Sequence, residues 1–186
     1  MTKYQMPTKF EIFPVKHIIF PLCKKFMSWE RAFEYFEKEG RSIINLVKDL
    51  DNNQLFKKVH ISKTMGLEEC ARNYSVAMVL WHLIEVGRKS QKVILRLSQN
   101  DKVDTVIDLN NFLPDENINN KNIVNEFRQF IDDYELVLNL NLENKKTNNY
   151  LRHPWFGKLN PHQWLLISAL HQTVHKKQLK KILKKL

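Results

Sequence analysis

Glycine and proline are scarce in this chain of 186 residues, at four and six. That scarcity disfavours a many-turned β sandwich and favours long helices, as does a composition dominated by Leu, Lys, Asn and Ile. Only two cysteines occur, Cys23 and Cys70, without CxxC spacing or a secretory context. They read as two thiols in a reducing cytosol. Long hydrophobic runs are also missing. The stretch "HIIFPLC" is short and broken by proline, so neither a secretory signal nor a membrane span is expected. The expectation is a soluble, cytoplasmic protein. At this length one domain can bury a substantial core, so stability alone requires neither a disulfide nor a structural ion.

Acidic residues are absent from the last eleven positions, "KKQLKKILKKL", which hold six lysines. The formal charge is +10, and the remaining 175 residues carry only +4 of it. A nucleic-acid reading is weakened by that location, because elsewhere basic and acidic residues interleave. No RRM, zinc-finger or basic-zipper signature is present, and the aromatics sit at helical core spacing rather than between basic residues.

What is there reads as helix. Residues 1–27, with Pro7, Pro14 and Pro21, form an N-terminal arm of short extended or single-turn pieces. Residues 28–186 form the main domain. Ser28 caps a first helix with Trp29, Phe33, Phe36, Ile43, Val47 and Leu50 at helical period. After a polar connection, Ser75 caps a second helix over roughly 76–98, carrying Val79, Val86, Val93 and Leu97. Residues 100–119 are long for a connection within a bundle. They suggest a crossover between helices that are not antiparallel neighbours, with an extended piece around Thr105 to Asp108. A third helix runs from about Lys121 to Leu140, with Ile123, Phe127, Ile131, Tyr134 and Leu138 on one side. Asn160 caps a fourth helix whose first position is Pro161. The fold class expected is all-α: a four-helix bundle with a long crossover between helices two and three.

The fourth helix carries His171 and His175 four residues apart, on the apolar arc shared with Trp164, Ile167 and Ile182. Lys176, Lys177, Lys180, Lys181 and Lys184 fall on the opposite side, as a solvated face. Seven histidines in 186 residues produce about one HxxxH pair by chance in every four such sequences, so the pair alone is weak. His82, mid-helix and inward with Met78, Val86 and Val93, is the natural third member. Histidines four apart place their Cβ atoms about 5–6 Å from each other, so two imidazoles can converge on one ion while a third arrives from a facing helix. Three neutral imidazoles leave the charge of the ion in place and a coordination position open, which suits catalysis more than structure.

Three stretches resemble the DinB-like superfamily of metal-binding four-helix bundles. They are "NYSVAMVLWHLIEV" (73–86), "HPWFGKLNPHQW" (153–164), a loop type found in one branch, and "HQTVHKKQ" (171–178). Together they span about a fifth of the chain. The resemblance implies a divalent metal ion, zinc or nickel, held by His82, His171 and His175 with water in the open position. Several relatives are thiol-dependent transferases or isomerases, which implies a low-molecular-weight thiol as co-substrate. Homodimers are common in the family, although no distinct sequence mark here calls for one.

Further residues have two readings each. Gln178 is placed to orient His175 or a substrate. Glu85 is either a hydrogen-bond or proton acceptor at the site, or a salt-bridge partner of Arg88 or Lys89. Trp164 is a pocket wall or a core residue. Trp155, Phe156 and Gly157 dock the loop and set the start of helix four. His17, His60, His153 and His162 are not expected as ligands. Lys89 would repel a cation unless it snorkels outward. The function expected is a metal-binding protein that activates a thiol or water as a transferase or hydrolase acting on a small molecule. The alternative is a non-catalytic bundle whose basic last helix contacts a partner or nucleic acid.

Overall fold

The computed structural model describes residues 9–99, 108–145 and 147–186. Its first helical stretch comprises α1 (Lys9–Pro14), a π turn (Val15–Ile19) and α2 (Phe20–Phe26). This corrects the expectation of extended or single-turn pieces. Proline removes a backbone donor and crowds the carbonyl one turn earlier, and the wider π turn between Pro14 and Pro21 accommodates both without ending the helix. Buried Val15 and Phe20 tie this stretch down, Phe20 by ring contact with Phe156 at 5.1 Å.

Four longer helices follow: α3 (Trp29–Val47), α5 (Val76–Ser98), α6 (Ile123–Asn141) and α7 (Pro161–Leu183). A one-turn helix α4 (Asn52–Phe56) lies between the first two, and a hairpin of β1 (Leu151–His153) and β2 (Gly157–Leu159) precedes the last. The caps anticipated are in place: Ser28 and Ser75 accept from Arg31 N and Met78 N, each at 3.2 Å. Asn160 and Gln163 form a reciprocal capping box. Gly157 closes the hairpin at φ 78°, a left-handed conformation that glycine adopts without a Cβ penalty. The extended piece expected around Thr105 to Asp108 falls mostly outside the described residues. Asp108 itself caps a 3-10 turn, Leu109–Phe112.

Contacts define the order around the bundle as α3, α7, α5, α6. Trp29 meets His162 and Tyr35 bonds Thr173, so α3 and α7 run parallel. Gly87 meets Phe130 and the Gln91 amide donates to Tyr134 O, so α5 and α6 also run parallel. The long crossover therefore joins parallel neighbours, as its length requires. His82 with His171 and Ser90 with Ser168 set α5 antiparallel to α7, while Phe33 with Tyr134 and Gly40 with Ile131 set α3 antiparallel to α6. The core against α6 is aromatic: Phe36 stacks on Tyr134 at 4.1 Å, and Phe130 meets both edge-on. Gly40 and Gly87 admit these side chains, since a Cβ there would overlap Ile131 or the Phe130 ring.

The basic end of α7 is less solvated than its helical wheel suggests. Lys176 pairs with buried Glu39 on α3, whereas the wheel placed it among outward lysines. Lys181 donates to the carbonyls of Ser62 and Lys63, and Lys185 to that of His60. These lysines bind the loop after α4 to the end of α7. Among the described residues, no helix is long and apolar enough to cross a membrane.

Candidate metal centre

His82 projects from the middle of α5, and His171 and His175 from one face of α7. The antiparallel packing brings all three together. His171 Nε2 lies 3.3 Å from His82 Nε2 and 3.0 Å from His175 Nε2. One donor atom from each histidine falls within 4.8 Å of the others. Nitrogens bound at 2.0–2.1 Å to a tetrahedral ion sit about 3.4 Å apart, close to the two separations made by His171.

The outer ring nitrogens show which tautomers are present. His82 Nδ1 donates to Phe112 O at 2.8 Å, because a carbonyl can only accept. Gln178 donates its amide to Ala71 O at 2.6 Å, which leaves its Oε1 to accept from His175 Nδ1, also at 2.6 Å. Both histidines therefore carry their proton on Nδ1 and turn a bare Nε2 lone pair toward His171. A single N–H on His171 could serve one of those contacts well and the other poorly. A cation at the centre satisfies three lone pairs together. Burial also keeps His171 and His175 neutral. It pushes His175 down to about 3, with the His82 charge acting in the same direction. Burial, then His175 and His82, hold His171 well below the ordinary histidine value.

The cluster forms the floor of a cavity of about 420 Å³. His82 and His171 line it, while His175 sits behind them, wholly buried. The walls are mainly apolar: Val86 and Val93 of α5, Ile167 and Val174 of α7, Trp155 and Phe156 of the hairpin, and Ile12 and Val15 of the N-terminal stretch. Trp164 lines the cavity and is also buried, so it meets both readings offered for it. Trp155 and Phe156 belong to the cavity wall in addition to docking the hairpin. Gln178 holds His175. Glu85 instead pairs with Arg88 at 3.6 Å and is not among the lining residues. Lys89 does snorkel outward: it is exposed, with Nζ 4.7 Å from the Phe112 ring centroid. His153 lines the cavity against Trp164 but stands outside the cluster, while His60 bonds Asn73 and His17 lies against Phe13.

Sequence reasoning missed Glu68, a buried carboxyl that faces the cavity from the loop before α5. Burial raises its pKa, opposed by the charge of His82. Its neighbour Glu69 turns outward to Arg72 at 2.7 Å. Cys70 and Tyr74 line the same wall, and burial, followed by the influence of Cys70 and Glu68, drives the Tyr74 phenol far above its usual range. The two cysteines form no disulfide.

No family model matches the sequence. No curated protein matches it. Among solved structures, the chain is similar to TT2238, described as a four-helix bundle protein, at 20% identity and a TM-score of 0.54 over 82% of this chain and 98% of that one. That likeness establishes the class, a four-helix bundle. The particular feature of this one is a buried histidine triad that could hold a metal ion.

Proposed function

We propose that the protein binds one divalent ion, zinc or nickel, through Nε2 of His82, His171 and His175, and uses it to activate a thiol or water in the manner of DinB-like transferases and hydrolases. The observation that carries this reading is the pair of Nε2 atoms of His82 and His175 turned onto the Nε2 of His171. Three imidazoles suit zinc and nickel alike, so availability decides between them. Two of the three proposed ligands line the cavity and the third is buried behind them, so a thiol or water would reach an ion held there from the cavity. A divalent ion there lowers the pKa of a bound thiol or water. The chain's own residues do the rest. Phe112 O and Gln178 would hold the ring orientations, the apolar walls would limit water, and the Glu68 carboxylate, which lines the same cavity, would take the released proton.

Element analysis of protein purified without an affinity tag tests the reading. About one equivalent of first-row metal is expected, lost in His171→Ala, and a panel of low-molecular-weight thiols then separates thiol from water activation. Metal-free protein that keeps its fold and stability as purified would overturn it.

A further inference from the structure

His153 lines the cavity but has no part in the metal reading. It is the last residue of β1, paired with Gly157 across the hairpin. Its ring lies against Phe156 at 5.0 Å, Trp164 at 5.2 Å and Trp155 at 6.1 Å between centroids. Strand pairing and three neighbouring rings hold it in one orientation.

The hairpin also sets its tautomer. The backbone N–H of Trp155 donates to His153 Nδ1 at 3.1 Å, so that nitrogen accepts and the proton of the neutral ring is on Nε2. His82 and His175 have the opposite arrangement, with their proton on Nδ1. Burial lowers the His153 pKa to about 4, so the ring is neutral at pH 7.

The two ring nitrogens point in divergent directions, which turns the His153 Nε2–H away from the hairpin backbone. Among the described residues it has no acceptor. The ring is only half-buried and borders the cavity, so a ligand can reach it, whereas the Trp164 indole N–H beside it is enclosed. Ser90 and Ser168, on the same lining, are engaged with each other at 2.7 Å. His153 therefore presents a fixed, uncharged donor in a largely apolar wall. It shares the cavity with His82 and His171, near enough for a charge on it to act on His171.

We infer that His153 is a specificity-determining residue for an apolar ligand with a neutral carbonyl group, its Nε2–H donating to the carbonyl oxygen while the aromatic and aliphatic walls take the apolar body. A neutral imidazole N–H is a competent donor to such an oxygen. A carboxylate fits less well, because the donor is uncharged and Glu68 already places a carboxyl in the same cavity. Binding of the carbonyl stands without the metal; only its attack by an activated thiol or water rests on that reading.

NMR on the 15N-labelled protein as purified tests this with acetophenone and ethylbenzene, which differ in the carbonyl alone, and with benzoate. Long-range 1H–15N correlations should show His153 protonated on Nε2, and acetophenone, not ethylbenzene, should shift that nitrogen. His153→Phe should weaken acetophenone about five-fold, the worth of one neutral hydrogen bond, and leave ethylbenzene unchanged, which also reports a folded cavity. His153→Gln, which restores an N–H donor, should bind acetophenone more tightly than His153→Phe does. A proton on Nδ1 of His153 would overturn the inference, as would equal losses for acetophenone and ethylbenzene in His153→Phe, or benzoate binding more tightly than acetophenone. If His171→Ala weakens acetophenone selectively and His153→Phe does not, the carbonyl sits on the metal. The inference then fails while the metal reading stands. A His153-dependent selectivity in protein that takes up no metal gives the reverse.

Discussion

The two sides of this bundle use the same helical repeat for opposite ends. Between α3 and α6 the core is closed by aliphatic side chains and by the rings of Phe36, Phe130 and Tyr134 in mutual contact, with Phe33 against Tyr134 and Gly40 admitting Ile131. Between α5 and α7 the corresponding layers hold His82, His171, His175, Ser90 and Ser168, each with a hydrogen-bond partner, and beside them a cavity. One side stabilises by packing, and its stability allows the other to keep polar groups and open space. Substitutions on the two sides should therefore fail differently.

The largest effect is expected on the closed side. Phe36→Ala removes a ring stacked at 4.1 Å and should cost about 3–5 kcal/mol in denaturant unfolding. Metal content should be unchanged, and a loss of metal would show that the two sides are not separable. Next comes His153, beside the open side. Burial lowers its pKa to about 4, below the 6.5 expected when unfolded. The unfolded chain therefore binds the proton first, and stability present above pH 6.5 is lost as the pH falls toward 4. The contribution is on the order of 3 kcal/mol by linkage. Comparing unfolding at pH 7 and pH 4.5 for wild type and His153→Phe isolates it: the variant should show the smaller drop.

Smaller again is Gln178→Ala. It releases His175 Nδ1 and is expected to weaken metal affinity roughly 10–100-fold by competition titration, with only a minor change in helix content. An affinity drop in Phe36→Ala of similar size would blur the contrast between the sides. Asn160→Ala, at the start of α7 and remote from both, should cost about 1 kcal/mol in thermal or denaturant unfolding.

Much of this was legible before any coordinates. Ser75 and Asn160 mark helix starts because a side-chain oxygen satisfies a backbone N–H there, and the structure begins α5 and α7 at those points. The end of α3 was read less well. Leu50 continues the apolar period, but the helix stops at Val47 because Asp51 already caps α4. The N-terminal stretch was illegible because proline normally marks a break, and a π turn that absorbs two prolines has no sequence signature. At the site, the three histidines could be found from spacing and helical phase. Glu68 could not, because irregular chain has no periodicity to say which of two adjacent glutamates turns inward. Nor could the Phe112 carbonyl, a backbone acceptor that any residue type supplies. Lys176 was misplaced because its partner Glu39 is itself a buried acid on α3, a pairing that no single-helix wheel contains.

The central claim is that three Nε2 atoms converge on one cation. X-ray absorption at the metal edge, on protein stripped and reloaded with one equivalent of zinc, tests it most directly. The account predicts three imidazole nitrogens at about 2.0–2.1 Å with a light atom completing the shell, falling to fewer than three in His82→Ala. A shell with one or no imidazole, or no uptake of zinc by folded protein, would contradict it.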